Sequence, residues 1–441
     1  MKPLEPIQSA TEDMFRERLE NLLDLRHPLI RLSLQIEWSV FNQSFGELYD
    51  AEIGRPGLPI RLLVGLHYLK HAFDMSDEEV VLRWVENPYW QYFCGEEYFQ
   101  HRLPIDGSQM SRFRGRIGAS GCELMLKLTV VTGLATKTVS ERSFKQVTVD
   151  TTVQEKAVAF PTDGRLYHQA RVLLVRMAKK LRIRLRQSYV RVGKRALFMH
   201  QRYQAARQPG RGKRELKKLK GYLGRVYRDV LRHVSSVDSA ELGELLARVE
   251  RLLAQRREDS HKLYSMHTPE VECIAKGKAH KKYEFGVKVS VATSTRSNFV
   301  LGMRSLPGNP YDGHTLADAL DQVTRLTGVR PTECFVDRGY RGHNETDTSV
   351  VIAGQKRGMT PRLKRLLKRR NAIEPVIGHL KNDGRLDRNY LKGATGDAMN
   401  ALLVGAGHNL RLILRKLRLL FAPTWEAVFE NPKPPIAAAC G

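Results

Sequence analysis

Thr332-Glu-Cys-Phe-Val-Asp337-Arg-Gly-Tyr-Arg-Gly342 is a β-branched and aromatic run that ends on an aspartate and then turns on glycines. Such a run is expected to form a buried strand that delivers a carboxylate to a sheet edge. Gly339 and Gly342 would let the backbone, Arg338 and Arg341 approach a ligand closely. An acid beside two arginines suits a metal-bound phosphate. Strands also end in aspartate for turn reasons alone, so the reading depends on partners elsewhere in the chain.

Two partners are present. Upstream, Phe144-Lys-Gln-Val-Thr-Val-Asp150-Thr-Thr-Val is a second β-rich run, with Val147 and Val149 expected on one face and Thr148 and Asp150 on the other. Downstream, Arg369-Arg-Asn-Ala-Ile-Glu374-Pro-Val-Ile-Gly-His-Leu-Lys381 sets a glutamate in a helical pattern. At 100° per residue Leu367, Arg370, Glu374 and Lys381 fall within about 60° of one another on the wheel. Pro375 predicts a kink or a helix start near Glu374, because proline disfavours helical geometry in the residue before it. Two strand-borne aspartates and one helix-borne glutamate are the hard oxygen ligands of a two-metal phosphoryl-transfer site, whose ions stand roughly 3.5–4 Å apart.

These residues resemble the bacterial insertion-sequence transposases of the DDE type, in particular the insertion-sequence 5 group. The resemblance rests on Thr148-Val-Asp150-Thr-Thr-Val, Phe335-Val-Asp337-Arg-Gly-Tyr-Arg-Gly342 and Ala372-Ile-Glu374-Pro-Val-Ile-Gly-His-Leu-Lys381. Gly54-Arg-Pro-Gly-Leu-Pro and His267-Thr-Pro-Glu-Val-Glu-Cys-Ile-Ala-Lys-Gly-Lys extend it over most of the chain. It implies that Asp150, Asp337 and Glu374 are the catalytic carboxylates and hold two Mg²⁺ ions, for which Mn²⁺ can substitute. Arg370 and Lys381 would grip phosphates at the scissile bond, and Arg338 and Arg341 would neutralise nearby backbone. The family signature around the glutamate has tyrosine where this chain has Leu367, a departure that bears on steps using that ring or hydroxyl and leaves the metal ligands untouched.

Composition agrees with a nucleic-acid enzyme. The chain has 441 residues, 42% apolar content, a formal net charge of +26 and a pI near 10.0. It has room for about three ordinary domains, and its charge calls for a polyanionic partner. Cys94, Cys122, Cys273, Cys334 and Cys440 form no CxxC pair, which argues against a zinc site or a disulfide framework. No apolar signal core opens the chain, and no uninterrupted apolar run approaches the ~20 residues of a membrane span. A cytoplasmic, nucleoid-associated bacterial protein is expected, with no membrane partner and no small-molecule substrate.

Residues 1–140 read as a helical DNA-binding or assembly domain. Ser76-Asp-Glu-Glu79 is a capping box, and Trp84, Tyr89, Trp90, Tyr92 and Phe93 supply bulky core. Arg112 and Arg116, one helical turn apart, are candidate contacts to transposon ends, with a solvated helix face as the alternative. Residues 141–164 and 265–420 are expected to form the catalytic domain, with 153–164 as a returning hairpin partner of the first strand. Residues 165–264 are a basic helical insertion: Arg165 to Arg214 holds sixteen Lys or Arg and no acid, and Arg165 to Lys262 holds 27 basic residues against 8 acidic. Apolar spacing there predicts an antiparallel hairpin turning at Gln208-Pro-Gly-Arg-Gly, with a third helix over 240–257. DNA phosphate would supply its counter-charge, and Tyr189 and Tyr203 could stack on a base or pack internally.

Tyr283 to Thr293 alternates, with Phe285, Val287, Val289 and Val291 expected on the buried face and Asn298 to Arg304 as its hairpin partner. A helix over 313–328 then crosses back to the Asp337 strand. That order is the order of an RNase H-like fold: an α/β mixed sheet flanked by helices, in which the Asp150 and Asp337 strands lie adjacent and parallel. Eight cations and no acid from Lys356 to Arg370 suggest a clamp on the DNA backbone. Asp312 is a fourth carboxylate, read as a turn former. A tail over 421–441 is expected to be disordered from Pro432.

The activity implied is a transposase that binds terminal inverted repeats in double-stranded DNA, hydrolyses the element's ends and joins the 3′ ends to target DNA, as a homodimer or higher assembly. The alternatives are an RNase H-like nuclease that cuts without joining, and a catalytically inert DNA-binding regulator.

Overall fold

The computed structural model describes residues 17–50, 57–233, 239–256, 258–275 and 282–429, with side chains as far as 419. Gly54 to Pro56, the end of the motif at 276–278, Cys440 and the tail from Pro432 lie outside the described residues. The chain divides into two compact units, one of Met1–Gln154, Lys288–Leu391 and Thr395–Gly441, the other of Glu155–Val287 and Lys392–Ala394.

The first unit opens with helices α1 (Leu19–Leu22), α2 (Pro28–Gln35), α3 (Trp38–Gly46), α4 (Ile60–Ala72), α5 (Asp77–Glu86), α6 (Pro88–Phe93) and α7 (Gly107–Ala135). Caps set several of their starts: Ser76 accepts from the Glu79 amide at 3.0 Å, Asn87 from Trp90, and Asp106 from Ser108. Trp84, Trp90 and Phe93 are buried as expected, while Tyr89 and Tyr92 are only half-buried. Helix α7 bends at Gly118, whose φ of 61° suits glycine. It is long and apolar enough to cross a membrane by length and composition, and more than half of its apolar stretch is buried in the unit.

Strand β1 (Gln146–Glu155) follows and carries Asp150. The expected hairpin return over 153–164 does not form, because β1 simply continues. Val153 is fully buried, and the Gln154 amide bonds the Asp397 carbonyl at 3.0 Å and takes the Asn400 amide at 2.9 Å. Those polar contacts come from the last helix of the same unit and hold the strand extended where local pattern suggested a turn.

The second unit contains α8 (Asp163–Lys180), α9 (Val190–Ala205), α10 (Pro209–Leu231), α11 (Ala240–Ala254) and strand β2 (Glu272–Ala275). The anticipated hairpin is therefore three helices, α8 to α10, while α11 falls where the third helix was expected. A break over 181–189 ends α8, and Gln208-Pro-Gly does not form a free turn but opens α10 with proline in the first turn. Leu166, Leu174, Leu219, Leu223, Val226, Leu245 and Val249 make the unit's own core.

Strand β3 (Tyr283–Ser294) pairs antiparallel with β2 through its first residues and with β4 (Val300–Leu306) through the rest. Then come α12 (Leu316–Thr327), ended by Gly328 at φ 73°, β5 (Glu333–Val336), β6 (Ser349–Ile352), α13 (Pro361–Arg370), α14 (Ile373–Asn382) and α15 (Gly393–Phe429). Within the first unit the strand order is β4-β3-β1-β5-β6, a mixed sheet in which β1 and β6 both run parallel to β5. The Asp150 and Asp337 strands are thus direct neighbours, with Val147 opposite Cys334 and Thr148 opposite Phe335. The expected alternation in β3 is corrected: Phe285 is half-buried, and from Gly286 onward both faces are covered, as befits a central strand. Asn409 of α15 bonds both the amide and the carbonyl of Val300 and reaches Thr129 of α7, fixing those helices to the sheet.

Candidate active site

Asp150 sits midway along β1, and Asp337 immediately follows β5. Parallel pairing of two neighbouring strands brings their carboxylates to the same region of the sheet. Asp337 also caps the short turn Arg338–Tyr340, accepting the Gly339 amide on Oδ1 at 2.9 Å. The turn-forming and site-forming roles of this aspartate coexist.

Gly339 is required by its neighbours. A Cβ there would stand 3.1 Å from Asp337 Oδ1 and 3.2 Å from Asp312 Oδ2, so the two carboxylates flank its bare Cα. Asp312, read as a turn former, opens the turn Asp312–Thr315 and also enters the site: its Oδ1 accepts from Thr151 Oγ1 at 3.1 Å and from Lys288 Nζ at 3.1 Å. Lys288 is 8% exposed and also donates to the Pro310 carbonyl at 2.7 Å.

Tyr340 is fully buried, and its hydroxyl has no hydrogen-bond partner among the described residues. Burial raises its phenol well above the ordinary tyrosine range, and the charges of Asp150, Asp312 and Asp337 push the same way. Three carboxylates thus act electrostatically on one uncharged oxygen.

Glu374 lies in the first turn of α14, and the helix starts at Ile373, where Pro375 led one to expect it. Arg370, the last residue of α13, links glutamate to sheet. Its Nη2 donates to Asp150 Oδ2 at 2.7 Å, and its Nη1 stands 3.8 Å from Glu374 Oε1. The arginine is 9% exposed, whereas the Glu374 side chain is 69% exposed. Among the described residues no three His, Cys, Asp or Glu side chains are gathered closely enough to hold a metal ion as they stand. Asp150 and Asp337 are brought together; Glu374 is held one arginine away.

The other expected residues are placed as follows. Lys381 is half-buried in the last turn of α14. Arg338 is exposed and lies over Gly354, where a Cβ would come within 2.8 Å of its guanidinium. Arg341 is exposed, and its carbonyl accepts from the Tyr311 hydroxyl at 2.9 Å. Arg112 and Arg116 are exposed on α7, Arg116 over the Tyr49 ring at 4.2 Å. Leu367 packs with Phe335, Val351 and Leu366 under the sheet.

Residues 17–116 match the family described as Transposase domain (DUF772), and residues 259–410 match the Transposase DDE domain family. Over 208 residues, 47% of this chain and all of the other protein, the chain is 53% identical to "Uncharacterized protein ORF8 in nfe locus" of Rhizobium meliloti. The two matched families support a DDE transposase. No solved structure matches it.

DDE transposases act on DNA and depend in general on divalent metal, and the donor set of this one suits such an ion. Carboxylate oxygens are the ligands Mg²⁺ prefers, and the buried Tyr340 hydroxyl, which feels the charge of Asp150, Asp312 and Asp337, is a polar atom lacking a partner among the described residues. Thr151, Lys288 and Tyr340 were not anticipated from sequence. Lys288 falls on the polar phase of an apolar strand, which reads as solvent-facing until both faces of β3 are known to be covered.

Proposed function

We propose that the chain is the transposase of an insertion-sequence element of the insertion-sequence 5 group, which binds the element's terminal inverted repeats, cleaves its ends and joins the 3′ ends to target DNA. The observation that carries this reading is the parallel β1–β5 pair with Asp150 tied to the Glu374 helix through Arg370. Asp150, Asp337 and Glu374 would hold divalent metal, Mg²⁺ or Mn²⁺, which supplies Lewis-acid activation of a water or 3′-hydroxyl and stabilises the leaving oxygen.

The protein's own groups do the rest. Arg370 sets the Asp150 carboxylate and carries positive charge toward Glu374, so that movement of the glutamate toward the aspartates would leave the guanidinium for a phosphate. Lys288 and Thr151 hold Asp312 beside Gly339, which fixes the turn bearing Asp337. Lys381, Arg338 and Arg341 offer charge to DNA backbone, and Arg112 and Arg116 offer it to the transposon ends. The basic helical unit adds sequence-independent affinity. Both ends have to be held together, so a homodimer or larger assembly on DNA is the working form.

The test incubates the purified protein and Mg²⁺ with duplexes carrying the DNA that flanks its gene and with a target plasmid. The expected outcome is end cleavage and joined product, with Asp337→Asn lowering both by about 10³-fold while DNA binding persists. Cutting without joining would make the protein a nuclease, and binding without chemistry would make it a regulator.

A further inference from the structure

Helix α9 presents one face with no counter-charge among the described residues. At 100° per residue Arg191, Lys194, Arg195, Phe198 and Arg202 fall within about 100° of one another. All five are exposed, and Phe198 keeps 61% of its surface in solvent. Gly193, Ala196 and His200 occupy the opposite side and are buried, with His200 Nδ1 donating to the Gly212 carbonyl at 2.9 Å. Packing inside the unit therefore fixes which way the stripe points.

Two features separate this face from an ordinary solvated helix. Lys180 and Lys218 in the same unit bond Glu241 and Glu215, each at 2.7 Å, but the four cations of the α9 face have no carboxylate partner among the described residues. The second feature is the aromatic ring at its centre, with Lys194 and Arg202 one turn away on either side and Arg195 beside them. A ring in water gains nothing from such a setting. Against nucleic acid the same pattern is complementary, since phosphates take the cations and a base takes the ring. The tyrosines expected to offer stacking are already engaged: Tyr189 stacks on Tyr222 with centroids 4.9 Å apart and planes 15° from parallel, and Tyr203 is half-buried with Arg211 near its ring.

We infer that the exposed face of α9 is a DNA-contact surface on which Arg191, Lys194, Arg195 and Arg202 neutralise backbone phosphates and Phe198 stacks on a base displaced from the duplex. This assignment rests on the DNA-processing function proposed above and adds to it the helix, the face and the mode of contact.

The test uses the full chain and two probes, a 30-bp duplex and the same duplex with a three-nucleotide mismatched bubble, titrated by fluorescence anisotropy over a series of salt concentrations. Wild type is expected to favour the bubble. Phe198→Ala should remove that preference by about tenfold and Phe198→Trp should retain it. The pair Arg195→Ala, Arg202→Ala should weaken both probes alike and reduce the salt slope by about 2. All three substituted side chains are exposed, and unchanged circular dichroism would show that the variants fold. Wild type without a bubble preference overturns the stacking role, as does Phe198→Ala with the preference intact. A salt slope unmoved by the arginine changes overturns the surface. If Phe198→Ala instead shrinks the sedimenting species at constant DNA affinity, the face meets a second copy and the inference fails. Failure of wild type to bind either probe overturns the DNA reading itself, whereas loss of end cleavage with these probes still bound would leave the surface standing.

Discussion

Tyr340 carries a buried hydroxyl without a partner among the described residues and within the electrostatic reach of three aspartates, and its removal has a sign that physics fixes. An unsatisfied buried hydroxyl costs about 1–3 kcal/mol, so Tyr340→Phe should leave the urea midpoint of the metal-free protein unchanged or raise it. A clear fall would mean that the hydroxyl is partnered. Lys288 and Asp312 behave oppositely. Their side chains are 10% and 23% exposed and 3.1 Å apart, so Lys288→Ala leaves a carboxylate beside Asp337 with less cover and should cost about 2 kcal/mol. In the double variant with Asp312→Ala much of that loss should return, and an additive cycle would show that the pair is not coupled. Neither residue's role was legible locally. Lys288 and Asp312 lie 24 residues apart and meet only because β3 is central in the sheet. The strand end and turn at Asp337 were legible, since its run, its glycines and its turn are all contiguous.

At the scale of the element, the cationic helix α13 turns out to be two populations of charge. Arg362 is spent on Glu333, with bonds of 2.7 and 2.9 Å; Arg369 donates to the Thr295 carbonyl at 2.9 Å and to that of Arg296; and Arg370 holds Asp150. Lys364, Arg365 and Lys368 remain exposed on the same helix. Arg369→Ala should therefore lower stability by about 1–2 kcal/mol, through loss of its clamp on the turn between β3 and β4. Lys364→Ala with Arg365→Ala should leave stability within about 0.5 kcal/mol and reduce the salt dependence of DNA binding. Denaturation and salt titration of the two variants separate the populations, and the expectation fails if they trade places. Sequence counts saw eight like charges from Lys356 to Arg370, six of them on this helix, and could not sort them, because the sorting depends on acids and carbonyls from other elements. The break before Glu374 was legible, since a proline is tolerated in the first turn of a helix and not in its interior, a constraint that is local. The β1 extension and the gap between α8 and α9 were not, for they depend on buried amide bonds and on core packing.

At the scale of the whole molecule, the stability of the first unit is tied to pH through histidines that must stay neutral. His67 is fully buried; its Nδ1 donates to the Leu63 carbonyl at 2.7 Å, and its Nε2 faces the Arg114 guanidinium at 3.4 Å. Burial first and then the Arg114 charge hold it down at about 3, and His408, buried and near Arg411, is held at about 4. His71, enclosed with no partner on either ring nitrogen among the described residues, is also held well below the ordinary histidine range by its burial. The unfolded chain takes up protons near the ordinary histidine value while the folded unit refuses them, so stability falls as pH drops below about 6.5. Between pH 7 and pH 5 the His67 share alone comes to about 2 kcal/mol. Asp77, lowered by Arg114 and Lys70 against its own burial, adds its loss only once pH falls below the unfolded carboxylate value of 3.8. Urea unfolding at pH 7, 6 and 5 should therefore show a falling midpoint with no contribution from Asp77 in that range, and His67→Gln should flatten the slope. A midpoint independent of pH over that interval would mean that these histidines protonate inside the fold, and that Arg114 does not bear on the acceptor nitrogen of His67 as its position requires.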